Sequence, residues 1–382
     1  MNLPVACNHL NVCTNTIKVS KFRYVDSSTM LDNKTILVTG GTGSFGRRFV
    51  RMTLERFNPT KIIIFSRDEM KQYEMACQFD NDPRLRFFLG DVRDKDRLRR
   101  ACQGVDYIVH AAALKIVPIA EYNPFEFVKT NIIGAMNVID SAIDEGVGRV
   151  VALSTDKACN PINLYGATKL CSDKIFISGN YYAGSRYTKF SVVRYGNVMG
   201  SRGSIIPRFR ELAVTGEIPI TDDKMTRFMI SLEHAVELVW VGLEECLGGE
   251  IYVPKIPSMR LVDIAKAVAP DARCKLVGIR PGEKLHEQMI SVEDSRLTYE
   301  YDHYFKIFPQ IDFYQRVNPT VIEDISSPIR SGRRVPEGFA YSSDNNSEWM
   351  TVENLREWIQ SEYYDSNPSA VGSPPLLGDE RI

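Results

Sequence analysis

From residue 34 onward, short apolar runs alternate with longer amphipathic stretches. The runs at 35–38, 62–65, 87–89, 107–109, 150–153 and 191–193 are rich in branched and aromatic residues and bounded by turn formers. They have the length and composition of buried strands. Between them, the spacing of apolar positions over 46–56, 95–103, 124–144 and 164–177 predicts helices that each bury one face. Strands that alternate with helices predict an α/β fold, a Rossmann-like doubly wound parallel sheet in β-α-β order throughout. Beyond residue 200 the alternation loosens and arginines become commoner, with helices predicted over 231–246 and 261–268. This half is expected to be a smaller C-terminal α/β domain for substrate, spanning 201–362, with some segments returning to the first domain at 31–200. Residues 1–30 are polar and aperiodic, and 363–382 are rich in Ser, Pro and Gly, so both are expected to be flexible ends.

Composition narrows the classes of partner. Lys and Arg total 47 against 48 Asp and Glu, so no net field draws the chain to nucleic acid or to an anionic membrane. No apolar run reaches the roughly 20 residues that span a bilayer, and the start lacks a signal-peptide layout, which predicts a cytoplasmic protein. The eight cysteines are scattered with no C-x-x-C pair, and the five histidines form no cluster. Reduced thiols and no metal site are expected.

Gly40, Gly43 and Gly46 form G-x-x-G-x-x-G between a predicted strand and a predicted helix, with Ser44 and Phe45 at the helix start. Such glycines let the backbone turn sharply and approach a pyrophosphate, whose charge meets the free amides of the helix. A dinucleotide is therefore expected. At the end of the second strand stand Ser66 and Arg67, which suit a 2′-phosphate and hence NADP; the alternative is Asp68 holding the ribose of NAD. Asp91 and Val92 are placed against the adenine, and Ala111, Ala112 and Ala113 against the nicotinamide ribose.

Tyr165 and Lys169 are four apart on a predicted helix after the fifth strand, and so share a face. There the ammonium can lower the phenol's pKa and hold a ribose while the phenolate takes a proton from a substrate alcohol. Just before them, Thr155, Asp156 and Lys157 end a strand whose tip faces the ligand crevice of such a sheet.

These pieces together resemble the extended short-chain dehydrogenase/reductase superfamily, and within it the soluble, C5-inverting UDP-N-acetylglucosamine 4,6-dehydratases. The likeness runs from Leu31 to Ile359. It is carried by the glycine loop, Phe65-Ser-Arg-Asp68, Gly90-Asp-Val-Arg93, His110-Ala-Ala-Ala-Leu-Lys115, Lys129-Thr-Asn131, Ser154-Thr-Asp-Lys-Ala158, Arg194-Tyr-Gly-Asn-Val198, Met225-Thr-Arg-Phe228 and Arg280-Pro-Gly-Glu-Lys284. The resemblance implies that Tyr165, supported by Lys169, removes the O4 proton, that Lys157 is the base at C5, and that Asp156 is the acid for the departing 6-hydroxyl. It implies that Thr155 polarises the 4-ketone. For Lys157 to act as a base its pKa must fall, an effect expected of Lys169, burial and the cofactor's charge. Lys115 is expected to serve cofactor and substrate, and Asn197, Arg280 and Glu283 the substrate. Arg208 and Arg227 are read as diphosphate partners or as structural ion pairs. A UDP-sugar substrate and a homo-oligomer, a dimer or a hexamer, are also implied. Cys159 stands where relatives more often carry alanine. The rival readings are a nucleotide-sugar 4- or 5-epimerase and a non-catalytic NADP-sensing regulator.

Overall fold

The structure, a computed structural model, describes residues 29–309 and 332–366 apart from 185 and 202. Cys7, Cys13, residues 1–28 of the expected extension and residues 367–382 of the expected tail lie outside the described residues.

The six predicted strands form as β1 (Thr35–Thr39), β2 (Lys61–Ser66), β3 (Leu85–Leu89), β4 (Tyr107–His110), β5 (Arg149–Thr155) and β6 (Lys189–Tyr195). All six are parallel, in the order β3-β2-β1-β4-β5-β6. β1, β2 and β5 are buried along almost their whole length, as strands between two layers of helices must be. The chain leaves β1 in one direction through β2 and β3, then returns to β1's other side with β4. That reversal opens a crevice above the C-terminal ends of β1 and β4.

The connecting helices are α1 (Ser44–Arg56), α2 (Glu69–Gln78), α3 (Lys95–Cys102), α4 (Val117–Tyr122), α5 (Pro124–Phe127), α6 (Gly134–Asp144) and α7 (Leu164–Ala183). Asp68, Asp94 and Asn163 begin α2, α3 and α7 by accepting from the backbone N–H of Lys71, Arg97 and Gly166, which satisfies amides that have no partner inside the helix. The single helix expected over 124–144 is instead α5, a π-helical stretch Val128–Ile133 and α6. One extra residue per turn leaves the apolar pattern nearly unbroken, so periodicity does not reveal it. Within it Asn131 is buried, exchanges two 2.9 Å bonds with the backbone of Leu114 and donates to Thr168 Oγ1 at 3.1 Å. The segment after β4 is thereby tied to α7.

The second half contributes β7 (Asn197–Val198), α8 (Ile205–Ala213), β8 (Glu217–Ile220), β9 (Thr226–Ile230), α9 (Leu232–Glu245), β10 (Ile251–Pro254), β11 (Ser258–Arg260), α10 (Leu261–Val268), β12 (Arg273–Leu276) and β13 (Gln288–Ile290). β14 (Thr298–Glu300), β15 (Tyr304–Ile307), β16 (Arg333–Arg334), β17 (Tyr341–Ser342) and α11 (Val352–Ser366) follow. α11 runs past the boundary at 363 that composition suggested. A separate small core forms around Ile206, Phe209, Ile220, Met225, Leu261 and Leu355. The β-α-β order does not continue: β10 joins β6 in parallel, but β15, β14 and β16 add to that edge antiparallel, giving a ten-stranded sheet. Only β14 and β15 are joined by a short hairpin loop, which antiparallel neighbours permit without a crossover helix. α9 lies against α1 and the sheet.

Candidate active site

A cleft of about 1390 Å³ lies above the C-terminal strand ends, between the large sheet and the second half. It exceeds the ~300–1,000 Å³ of a single small-molecule site and has room for two ligands. Along one arm run Gly40, Gly43, Ser44, Phe45 and Gly46, then Ser66, Arg67, Asp91 and Val92, and finally Ala111, Ala112 and Ala113. Gly40 adopts φ +67°, and a Cβ there would stand 2.9 Å from the backbone of Ala112. A Cβ on Gly46 would stand 2.3 Å from the carbonyl oxygen of Gly41. Glycine is thus required for the loop to lie flat against β4 and α1, and Gly43, which carries no side-chain cap, leaves the start of α1 open to an anion. The cradle fits a dinucleotide.

Ser66 is buried and its hydroxyl accepts from Gln72 Nε2 at 3.1 Å. Arg67 Nη1 lies 3.6 Å from Asp91 Oδ2 with its side chain half exposed. Burial alone would raise Asp91, but Arg93 outweighs it with bonds of 2.7–2.9 Å and holds the carboxyl below its usual range. Asp68, the alternative ribose ligand, is taken by Lys71, whose Nζ donates to its Oδ2 at 2.5 Å. Under the loop, Thr39 Oγ1 and His110 Nδ1 are 2.8 Å apart and Ala112 N donates to the same hydroxyl at 3.3 Å, which fixes the two strand ends.

At the centre, Lys157 Nζ lies 3.0 Å from Asp156 Oδ1 and 3.1 Å from Glu287 Oε1. Thr155 Oγ1 donates to Asp156 Oδ1 at 2.9 Å and accepts from the Lys157 amide at 3.3 Å. Tyr165 and Lys169 face the same cleft, both nearly buried, with the phenol bonded to the Thr155 side chain. In the protein alone the Lys157 ammonium is not depressed. Burial would lower Lys157, but the carboxylates of Asp156 and Glu287 outweigh it and hold it above its usual value. Nor is the phenol depressed: burial pushes Tyr165 up to about 12, against the opposing pull of Lys157 and the Thr155 bond. Lys169 is lowered by burial, partly offset by Asp173.

Asp156 departs from the expected geometry. It is fully buried and lies beneath the cleft wall that Thr155 and Lys157 form. Burial raises its pKa, whereas Lys157, Arg227 and Lys284 hold Glu287 below the usual carboxylate range despite burial. The two carboxyls are driven apart, the mark of a divided acid and base pair. Asp156 Oδ2 and Glu287 Oε2 are buried with no hydrogen-bond partner among the described residues.

Lys115, Asn197, Arg208, Arg227, Arg280 and Glu283 all line the remaining arm of the cleft. Lys115 is lowered by burial and by nearby Lys157. Arg208 pairs with Glu211 at 3.4 Å, both exposed, an ion pair weak enough to exchange for a ligand's charge. Arg227 is committed instead: its side chain is buried, donates to the backbone of Thr226 and Leu285, and lies 3.7 Å from Glu287 Oε1. Sequence reasoning missed Glu287, for which no local motif exists. The sequence motifs contain Ser154 and Arg194 but give them no role and do not include Asp173, with which they form a buried group: Ser154 Oγ donates to Asp173 Oδ2 at 2.7 Å and Arg194 Nη2 reaches the same oxygen at 3.3 Å. Among the described residues no cluster of His, Cys, Asp or Glu could hold a metal, and no helix is long and apolar enough to cross a membrane.

Residues 36–309 match the polysaccharide biosynthesis protein family. The chain is 55% identical over 332 residues to a UDP-N-acetylglucosamine 4,6-dehydratase (inverting) of Campylobacter jejuni, which covers 86% of this chain and 98% of the relative. It is 42% identical over 286 residues to a UDP-glucose 4-epimerase of Rickettsia canadensis, covering 73% of this chain and 84% of the relative. The X-ray structure of Pen from Bacillus thuringiensis superposes with a TM-score of 0.77 at 34% identity, covering 87% of this chain and 99% of that one. DesIV, a dTDP-glucose 4,6-dehydratase from Streptomyces venezuelae with NAD and TYD bound, superposes with a TM-score of 0.60 at 25% identity, covering 78% and 98%.

Proposed function

The chain belongs to the polysaccharide biosynthesis protein family, and we propose from that premise that it is an enzyme that dehydrates UDP-N-acetylglucosamine across C5 and C6 with inversion at C5. The product is a UDP-2-acetamido-2,6-dideoxy-hexos-4-ulose. The observation that carries the reading is the placing of Lys157 between two buried carboxyls beside Tyr165 in one cleft. The high identity to a relative of that name supports it.

The glycine cradle, with Ser66, Arg67 and the alanines after β4, would hold a nicotinamide cofactor, which when bound would supply the hydride acceptor for C4 and the hydride for C6. The chain's own residues handle the protons. Tyr165 takes the proton from O4, assisted by the positive charges of Lys157 and Lys169. Once C4 is a ketone, the C5 hydrogen is acidic and Thr155 donates a hydrogen bond to the ketone oxygen. Lys157 must shed a proton before it can take the one at C5. Asp156, 3.0 Å away and raised in pKa, is the group that can receive it, so one internal transfer yields both a neutral amine and a protonated acid. Lys157 then removes the C5 proton while the Asp156 carboxyl, turned out from beneath the cleft wall, gives its proton to O6, which leaves as water. With hydride returned to C6, a proton enters C5 from the opposite face, balanced by the one Tyr165 took from O4, and the lysine–aspartate pair ends as the ion pair seen in the structure.

NADP is the cofactor in this reading, because the half-exposed Arg67 needs only to leave Asp91 to meet a 2′-phosphate. Replacement of Arg67 by Ala is expected to weaken NADP more than NAD, as read by calorimetric titration of both. Residues 31–200 carry the cofactor and 201–362 most of the sugar-nucleotide contacts, with Arg208, Arg280 and Glu283 at the diphosphate and uridine end. A cytoplasmic homo-oligomer fits the reading. The 42% identity to a 4-epimerase favours a second reading in which Tyr165 and Lys169 act alone. Incubation with UDP-N-acetylglucosamine in deuterated water separates them. Water loss with C5 deuterium supports the dehydratase, and a product of unchanged composition supports the epimerase.

A further inference from the structure

Four polar contacts stitch the loop that carries Lys157 to the segment 282–288 of the second half. Asn163 Nδ2 donates to Gly282 O at 2.8 Å, Lys284 Nζ to Cys159 O at 2.5 Å, and Asn160 Nδ2 to Gln288 Oε1 at 2.7 Å. The fourth is Glu287 Oε1 on Lys157 Nζ at 3.1 Å. Gly282, at φ +79°, allows the closest approach, since a Cβ there would stand 3.2 Å from Asn163 Cβ. The same stretch of chain carries Glu283 and follows Arg280, both on the cleft. Glu287 itself is 2% exposed and backed by Arg227, which also bonds the backbone of Leu285. A buried carboxylate whose one oxygen lies near two cations, Lys157 and Arg227, while its other oxygen has no hydrogen-bond partner among the described residues, does more than fill space, since burying it costs free energy.

Resting on the dehydratase reading above, we infer that Glu287 is a positioning residue for the C5 base. It holds the Lys157 amine against Asp156 and retains the cluster's protons, and the 282–288 segment carries it there so that the nucleotide end and the base are set by one strap. The charged or titratable groups that face Lys157 are Asp156, Glu287, Arg227, Lys115 and Tyr165.

The test is Glu287→Gln, with kcat and KM measured by NMR in deuterated water across pH. The expected result is a kcat lower by on the order of 10²-fold with KM nearly unchanged. Removing a negative charge makes both the ammonium and the Asp156 carboxyl release protons more readily. Both limbs of the kcat–pH profile therefore move to lower pH, by about 1 to 3 units. Glu287→Asp keeps the charge but withdraws it, so its limbs stay near wild type while kcat remains reduced. A lower kcat with unmoved limbs in the Gln variant, or an unchanged kcat, overturns the inference. Should the Gln variant fail to fold, the Asp variant decides: full kcat overturns the inference, and reduced kcat with wild-type limbs supports it. A wild-type protein that releases no water overturns the dehydratase reading instead.

Discussion

The Lys157 ammonium opposes the burial that raises the Tyr165 phenol, while Lys157 itself is held charged by Asp156 and Glu287. Tyr165→Phe is expected to retain cofactor binding and lose about 10²–10⁴ in turnover, read as water loss by NMR. His110 offers a separate test by pH. Burial, helped by the Lys169 charge, lowers it from 6.5 to about 3, so between those values the unfolded chain binds a proton that the folded one refuses. Its contribution is whole above pH 6.5 and is lost as pH falls toward 3. Denaturant titrations should therefore show the slope of stability against pH in that window shrinking by about 1.4 kcal/mol per unit in His110→Gln. Tyr165, Lys169, Thr155 and Lys157 were legible because a strand tip and one helical turn bring them together locally. Glu287 was not, since it reaches Lys157 only through the packing of a distant segment, and no spacing rule links residues 128 apart such as the neighbouring Asn160 and Gln288.

Among the elements, the start of α7 and the turn before it form the tightest joint. A Cβ on Gly166 would stand 2.2 Å from the carbonyl oxygen of Lys157, and that atom is backbone. Gly166→Ala must push the catalytic loop away from the helix, and a displacement of about 1 Å at the base costs on the order of 10²-fold in kcat, with cofactor affinity as the control. Gly46→Ala, whose Cβ would overlap Gly41, is expected to abolish cofactor binding in the same titration. Strands and most helices of the first half were readable from periodicity because each is buried in one repeating way. The π-helical stretch and the antiparallel edge were not, since neither changes the local alternation of apolar and polar residues.

Across the whole molecule, Arg194 on β6 is the rivet. Its guanidinium reaches Asp173 on α7 at 3.3 Å, donates to Met289 O on β13 at 3.0 Å and lies 3.5 Å from Asp294 Oδ2. Arg194→Met leaves two carboxylates without their cation, which costs about 3–5 kcal/mol where such groups are buried, checked by the denaturation midpoint at neutral pH. The strand order has a further consequence. Polypeptide that leaves the sheet after β6 re-enters it at β10 and again at β14, β15 and β16. The second half is therefore no detachable cassette: a chimera joined once, near residue 200, would exchange four strands of the sheet along with the specificity loops. An engineer who wishes to graft a foreign sugar pocket needs several seams, cut so that β10 and its antiparallel neighbours stay with their own sheet.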